Sequence, residues 1–188
     1  RSFLFQMDRV ENILHLTHWD VFLSVLPIWH SFERAVEYIV LNYGASIAYS
    51  KPIGQIMLAD MQKIRPTWMT SVPRIWEGIR SAVYRNARKQ SSLRQLLFHF
   101  FVGVGQSFAM LANMFRGLQP QFRPRSIVVD RILSIVPLIL LAPFKFLGDL
   151  LVFNTLRQRL GGRFVAGVSG GGALPPYVDS FFQAAGIT

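Results

Sequence analysis

Short apolar runs alternate with amphipathic stretches over the first third of the chain. Phe3, Met7, Val10 and Leu14 recur at helical spacing within Ser2–Leu16, which predicts a helix with one apolar face. Asp20 then leads into VFLSVLPI. This near-continuous apolar run suits a strand buried on both faces of a parallel sheet. Ser31 is the expected N-cap of a helix over 32–42, with Arg34 where a capping box would place Glu. Phe32, Val36, Ile39 and Val40 form its buried face, and Gly44 stops it. A strand over 45–49, a helix over 53–64 and a strand over 67–72 follow, punctuated by Pro66 and Pro73. The order β-α-β-α-β with short connections predicts the α/β class: a doubly wound, mostly parallel sheet layer with right-handed crossovers.

From Arg74 the period changes. Residues 74–89 read as a helix, 91–116 as a second and more apolar one, and 119–125, with two prolines, as a loop. Residues 128–159 read as helical but broken near Pro137 and Pro143. Gly161 and Gly162 close this all-helical insert. A strand over 164–168 and a proline-opened helix over about 175–185 return to the α/β pattern. One domain is therefore expected over 1–188, with 1–73 and 160–188 as the α/β layer and 74–159 as the insert.

Composition narrows the class. The chain is 51% hydrophobic and 16% charged, which excludes a disordered chain. It has no cysteine, so disulfides, thiolate zinc sites and cysteine nucleophiles are excluded, and a cytosolic setting fits. The net charge of +10 is concentrated: no acidic residue occurs between Gly78 and Val129, where Arg80, Arg85, Arg88, Lys89, Arg94 and Arg116 lie among Phe, Leu and Met. Cations among long aliphatic runs, without an RNA-binding or helix-turn-helix motif, point to an anionic membrane surface or an anionic lipid-like ligand more than to nucleic acid, with a solvated basic face balanced by acidic parts elsewhere as the alternative. The uncharged run Ile132–Phe144 is shorter than the ~20 residues that cross a bilayer. It contains two prolines and is followed by Lys145 and Asp149. A buried or interfacial helical hairpin is expected there.

Two places carry candidate chemistry. Ser169-Gly170-Gly171-Gly172-Ala173 ends a predicted strand. Glycines there let backbone lie flat against a planar ligand or take positive φ. His30 ends the first apolar run, at the same carboxyl edge where open α/β sheets bind ligands. His15 and His18 have metal-compatible spacing but no third ligand nearby, so a surface role is expected. There is no G-x-S-x-G, no Walker motif and no GxGxxG. The residues alone leave the enzyme class open.

Three segments, in order, carry a resemblance. Leu26-Pro27-Ile28-Trp29-His30-Ser31-Phe32-Glu33-Arg34 resembles the LPLxHxFER segment of long-chain fatty acid–CoA ligases. Ser71-Val72-Pro73-Arg74-Ile75-Trp76-Glu77 resembles their VPRxxE segment. Leu160-Gly161-Gly162-Arg163 through Ser169-Gly170-Gly171-Gly172-Ala173-Leu174-Pro175 resembles their LGGR…SGGAALP segment. The resemblance implies an adenylate-forming ligase, which activates a carboxylate with ATP and transfers the acyl group to coenzyme A. It places Gly171, Gly172 and Ala173 against adenine, with Gly172 where the family usually has Ala. His30 then lies near the reacting carboxylate and α-phosphate, and Trp29 beside the acyl path, although core packing is the expected default for Trp29.

The resemblance also implies long-chain fatty acid as substrate and the remainder of the same enzyme as partner. The phosphate loop would precede Arg1. The Mg2+ ligand would follow Thr188, so no metal ligand is expected in this chain, and the fragment alone is expected to be inactive. The expected location is cytoplasmic, peripheral on the inner face of a membrane. The alternative from another class is a non-catalytic membrane- or lipid-binding protein that reuses the same layer.

Overall fold

A computed structural model describes residues 5, 7, 9, 10, 14–119 and 126–188. The chain divides into two compact units, one of Arg1–Ile79 with Arg157–Leu174 and one of Arg80–Leu156 with Pro175–Thr188.

The first unit is α/β. Its strands are β1 (Val21–Ser24), β2 (Ser46–Tyr49), β3 (Trp68–Ser71) and β4 (Ala166–Ser169). They form one all-parallel sheet in the order β2-β1-β3-β4. Helix α1 (Ser31–Asn42) links β1 to β2, and α2 (Gly54–Ile64) links β2 to β3. The apolar run after Asp20 pairs over only half its length. Pro27 has no N–H for a ladder, and the Leu26 N–H is drawn to the Glu33 carboxyl. Leu16, Phe22, Val36, Ile39, Val40 and Ala45 make one buried cluster. The expected N-terminal helix lies largely outside the described residues, but Met7, Val10 and Leu14 do pack on this cluster. Met57 and Met61 of α2 are fully buried, as are Leu23 of β1 and Met69 of β3.

Two local expectations need correction. The N-cap of α1 is His30, one residue before Ser31: its Nδ1 accepts from Phe32 N–H at 3.3 Å. Glu33 therefore takes the third helical position, where a capping box places its acid, but its side chain turns into the core instead. Phe32 is only half-buried, whereas Val36, Ile39 and Val40 are buried as expected.

Helix α3 (Pro73–Arg88) runs from the first unit into the second. The second unit is all-helical: α4 (Ser92–Arg116), α5 (Ile127–Gly148), a π-helical segment (Asp149–Phe153), α6 (Asn154–Arg159, which crosses back to the first unit) and α7 (Pro176–Ala184). Pro137 and Pro143 do not break the helix, contrary to expectation; α5 runs through both. Each proline deletes one ladder bond, and helical backbone continues on either side through the π-helical turn to Arg159. Nor is this helix buried: only 11% of its most apolar window lies inside the structure. The helix after the glycine segment also groups with the helical unit, through Gln106 Nε2 donating to Ser180 Oγ at 3.0 Å and Asn113 Nδ2 donating to Gln183 Oε1 at 2.8 Å.

Candidate active-site edge of the sheet

The strands end together, and the chemistry-bearing residues of the first unit follow those ends. β4 gives way to Gly170, Gly171, Gly172 and Ala173; β3 gives way to Val72 and Pro73; β1 leads through Pro27 to Trp29 and His30. A Cβ on Gly170 would lie 2.4 Å from Cζ of Phe32, so the glycine segment packs directly on the first turn of α1. Through Phe32 the structure brings the glycine segment and His30 to one edge.

The glycines have different reasons for being glycine. Gly167 lies under the Trp76 indole, where a Cβ would come within 2.3 Å, and Gly170 lies under Phe32. Both make room for the protein's own aromatic rings. Gly171 has φ +78°, a left-handed backbone that costs other residues roughly 1 kcal/mol or more. Gly172 has neither constraint: a Cβ there would sit at 3.7 Å from Pro73, an ordinary contact. Gly171, Gly172 and Ala173 are exposed, which leaves their backbone free to face a ligand.

His30 is exposed, and its main chain is fixed by N–H donation to Pro27 O at 2.9 Å and acceptance from Arg34 N–H at 3.1 Å. With Nδ1 accepting from Phe32, the proton of the neutral ring sits on Nε2. The ring thus offers one N–H outward from a helix N-terminus, where positive potential also gathers. Trp29 is 79% exposed, so the core-packing default for it is wrong.

Sequence reasoning assigned no role to what lies beneath. Glu33 is completely buried. Ser24 Oγ, at the end of β1, is 2.6 Å from Glu33 Oε1 and 3.1 Å from Glu37 Oε1, and Thr70 Oγ1, near the end of β3, donates to Glu33 Oε2 at 2.7 Å. One serine proton cannot serve two carboxylates, so the group is satisfied when one carboxyl keeps a proton. Burial raises the Glu33 carboxyl above its ordinary range, outweighing the Ser24 and Thr70 hydrogen bonds, and nearby Glu37 adds to the effect. Glu33 thereby ties the first turn of α1, and His30 with it, to the ends of two strands. The signal was present: Glu33, Val36, Glu37 and Val40 share one helical face.

Two hydroxyls at this edge lack a partner among the described residues. Ser71 Oγ and Ser169 Oγ are both buried, and the two serines are register neighbours closing β3 and β4. Buried hydroxyls in folded proteins nearly always find a partner.

The family model for AMP-binding enzymes matches residues 1–188. The chain belongs to the AMP-binding enzyme family. As an AMP-binding enzyme segment it is 30% identical, over its whole length, to a chloroplastic long-chain-fatty-acid–acyl-carrier-protein ligase of Arabidopsis thaliana, of which it covers 26%. It is 27% identical over 94% of its length to long chain acyl-CoA synthetase 1 of the same plant, covering 23% of that protein. It is 28% identical over 88% of its length to fatty acyl-CoA synthetase A of Dictyostelium discoideum, covering 20%. The chain thus spans about a quarter of the length of such relatives. No solved structure matches it significantly.

Proposed function

We propose that this AMP-binding segment forms one wall of the acyl-adenylate site of a long-chain fatty acid–CoA ligase. The observation that carries the proposal is the shared edge of His30, Gly171, Gly172 and Ala173, all exposed and joined through the packing of Gly170 on Phe32. Adenine would lie on the exposed backbone of Gly171–Ala173. The fatty carboxylate is already ionised at neutral pH, so no base is needed to make it a nucleophile. The Nε2–H of His30 orients it and offsets the charge that builds at the α-phosphate as pyrophosphate leaves. Trp29 borders the acyl path.

ATP and long-chain fatty acid are the first substrates and coenzyme A the acceptor. Mg2+ would balance the phosphate charge, held by a ligand beyond this chain. The segment works as part of the remainder of the enzyme and is inactive by itself. The proposed setting is cytoplasmic, peripheral on the inner face of an anionic membrane.

The test is ATP–pyrophosphate exchange by the full-length enzyme with acids of graded length, followed by acyl transfer to coenzyme A. Exchange driven by long-chain acids and transfer to coenzyme A are expected. Exchange driven only by short or aromatic acids would overturn the substrate class. Transfer to acyl-carrier protein alone would overturn the acceptor while leaving the adenylate chemistry intact.

A further inference from the structure

Helix α5 has an unusual surface. At 100° per residue, Asp130, Ser134, Leu141, Lys145 and Gly148 line one stripe, buried or half-buried. On the opposite half of the circumference Ile132, Leu133, Val136, Ile139, Leu140 and Phe146 stand 58–68% exposed. No charged residue falls on that arc between Ile132 and Leu151. A surface helix in water carries its charge on the outward face, and exposed apolar patches of this extent mark an interaction surface. The stretch holds only two charges, Lys145 and Asp149, and they neutralise each other at 2.6 Å, one turn apart.

Three features select lipid as the occupant. Cations flank the apolar arc at both ends of the hairpin: Arg116 and Arg131 near its turn, Arg85, Arg88, Lys89 and Arg94 near the start of α4. The acid-free stretch from Gly78 to Val129 leaves that flank with one sign of charge. A groove of about 410 Å³ between α4 and α5 is apolar, lined by Phe108, Phe115, Leu138 and Ile139 among others, with Arg116 its only charged residue. An anionic headgroup joined to a hydrocarbon chain has this pattern of chemistry.

The same unit also sets the geometry. By length and composition α4 and the helix from Ile127 to Arg159 could each cross a bilayer. But α4 lies between α5 and α7, and polar side chains bind α7 along it. Leu93, Leu96, Phe100 and Met110 of α4 are exposed as well, but among the described residues the helix from Ile127 is the less covered of the two, with 11% of its apolar window buried against 22%. We propose that α5 lies in the plane of one leaflet of an anionic membrane, its apolar arc among the acyl chains and the flanking cations at headgroup level. This specifies how the membrane association proposed above is made, and does not depend on the ligase chemistry. Adsorption through the cations alone would preserve that association and defeat the insertion.

The experiment uses the full-length enzyme and vesicles of phosphatidylcholine with phosphatidylglycerol. An environment-sensitive fluorophore on the Ile139→Cys variant should shift to the blue on vesicles and be quenched by lipids brominated near the top of the acyl chain. The Ile139→Glu/Leu140→Glu variant should lose roughly tenfold or more in vesicle partitioning, a loss that persists at high salt. Reversal of Arg85, Arg88 and Lys89 should weaken binding chiefly at low salt. A label that stays unquenched on vesicle-bound protein overturns the proposal, whatever the folding of the double variant. So does a folded double variant that floats like the parent. An unquenched label together with a dimer that the double variant dissociates would assign the face to a second copy.

Discussion

Replacing Gly170, Gly171 and Gly172 one at a time by Ala should give three different results from one added methyl group. At Gly170 the new Cβ would lie 2.4 Å from Phe32 Cζ and 2.7–2.8 Å from its Cε atoms. Carbon atoms settle at about 3.5–4.0 Å, so the ring must retreat by about 1 Å or more, and overpacking of that kind costs about 1–3 kcal/mol. At Gly171 there is room, with Val72 at 3.7 Å, but φ is +78°, which costs about 1–2 kcal/mol for a residue with a Cβ. At Gly172 neither problem exists, and the change should stay within about 0.5 kcal/mol. Chemical denaturation of the full-length enzyme, followed by a probe in this domain, should rank the variants Gly172→Ala first, Gly171→Ala next and Gly170→Ala last. Equal losses at all three positions, or a silent Gly170→Ala, would refute the packing described at this edge.

Other expectations follow from the same geometry. Because burial raises the Glu33 carboxyl, the folded state favours its neutral form; the stability it contributes is complete below the ordinary value of 4.5 and falls as pH rises through the raised value. Glu33→Gln should flatten the decline in thermal midpoint as pH rises above 4.5, and parallel profiles for parent and variant would contradict the assignment. Trp29→Ala should leave stability within about 0.5 kcal/mol, since the side chain is 79% exposed, while raising KM for the fatty acid; an unchanged KM removes it from the acyl path. The Arg80 guanidinium lies 4.2 Å from the Tyr84 ring and 4.8 Å from Tyr177. Arg80→Gln should therefore cost about 1 kcal/mol in denaturation of the helical region, whereas an exposed cation would cost nothing.

The α/β layer was legible because parallel strands write themselves as apolar runs and the intervening helices as 3.6-residue periods. Strand lengths were not, since VFLSVLPI keeps its apolar character past Ser24 while Pro27 and the Leu26–Glu33 bond end the pairing. The cap of α1 was misplaced by one residue because an imidazole does what a serine hydroxyl was expected to do. Pro137 and Pro143 pointed to a break, but a proline removes one hydrogen bond from a helix that keeps many others. Trp29 was expected inside, though an aromatic residue just past a strand end is placed by the loop and not by the sheet period. The glycine segment was visible at once. Its division into residues that make room for Phe32, residues that bend the chain and a residue free to meet a ligand depends on side chains that pack from other segments.

The central claim is that His30 acts on the reacting groups at this edge. It is tested most directly by measuring fatty-acid-dependent ATP–pyrophosphate exchange and ATP affinity together in the full-length His30→Ala enzyme. The account predicts that exchange falls by roughly 10²-fold or more, as for loss of a donor aimed at developing charge, with ATP affinity changed only a few-fold. Parent-like exchange would contradict it, and so would a loss of exchange matched by an equal loss of ATP binding.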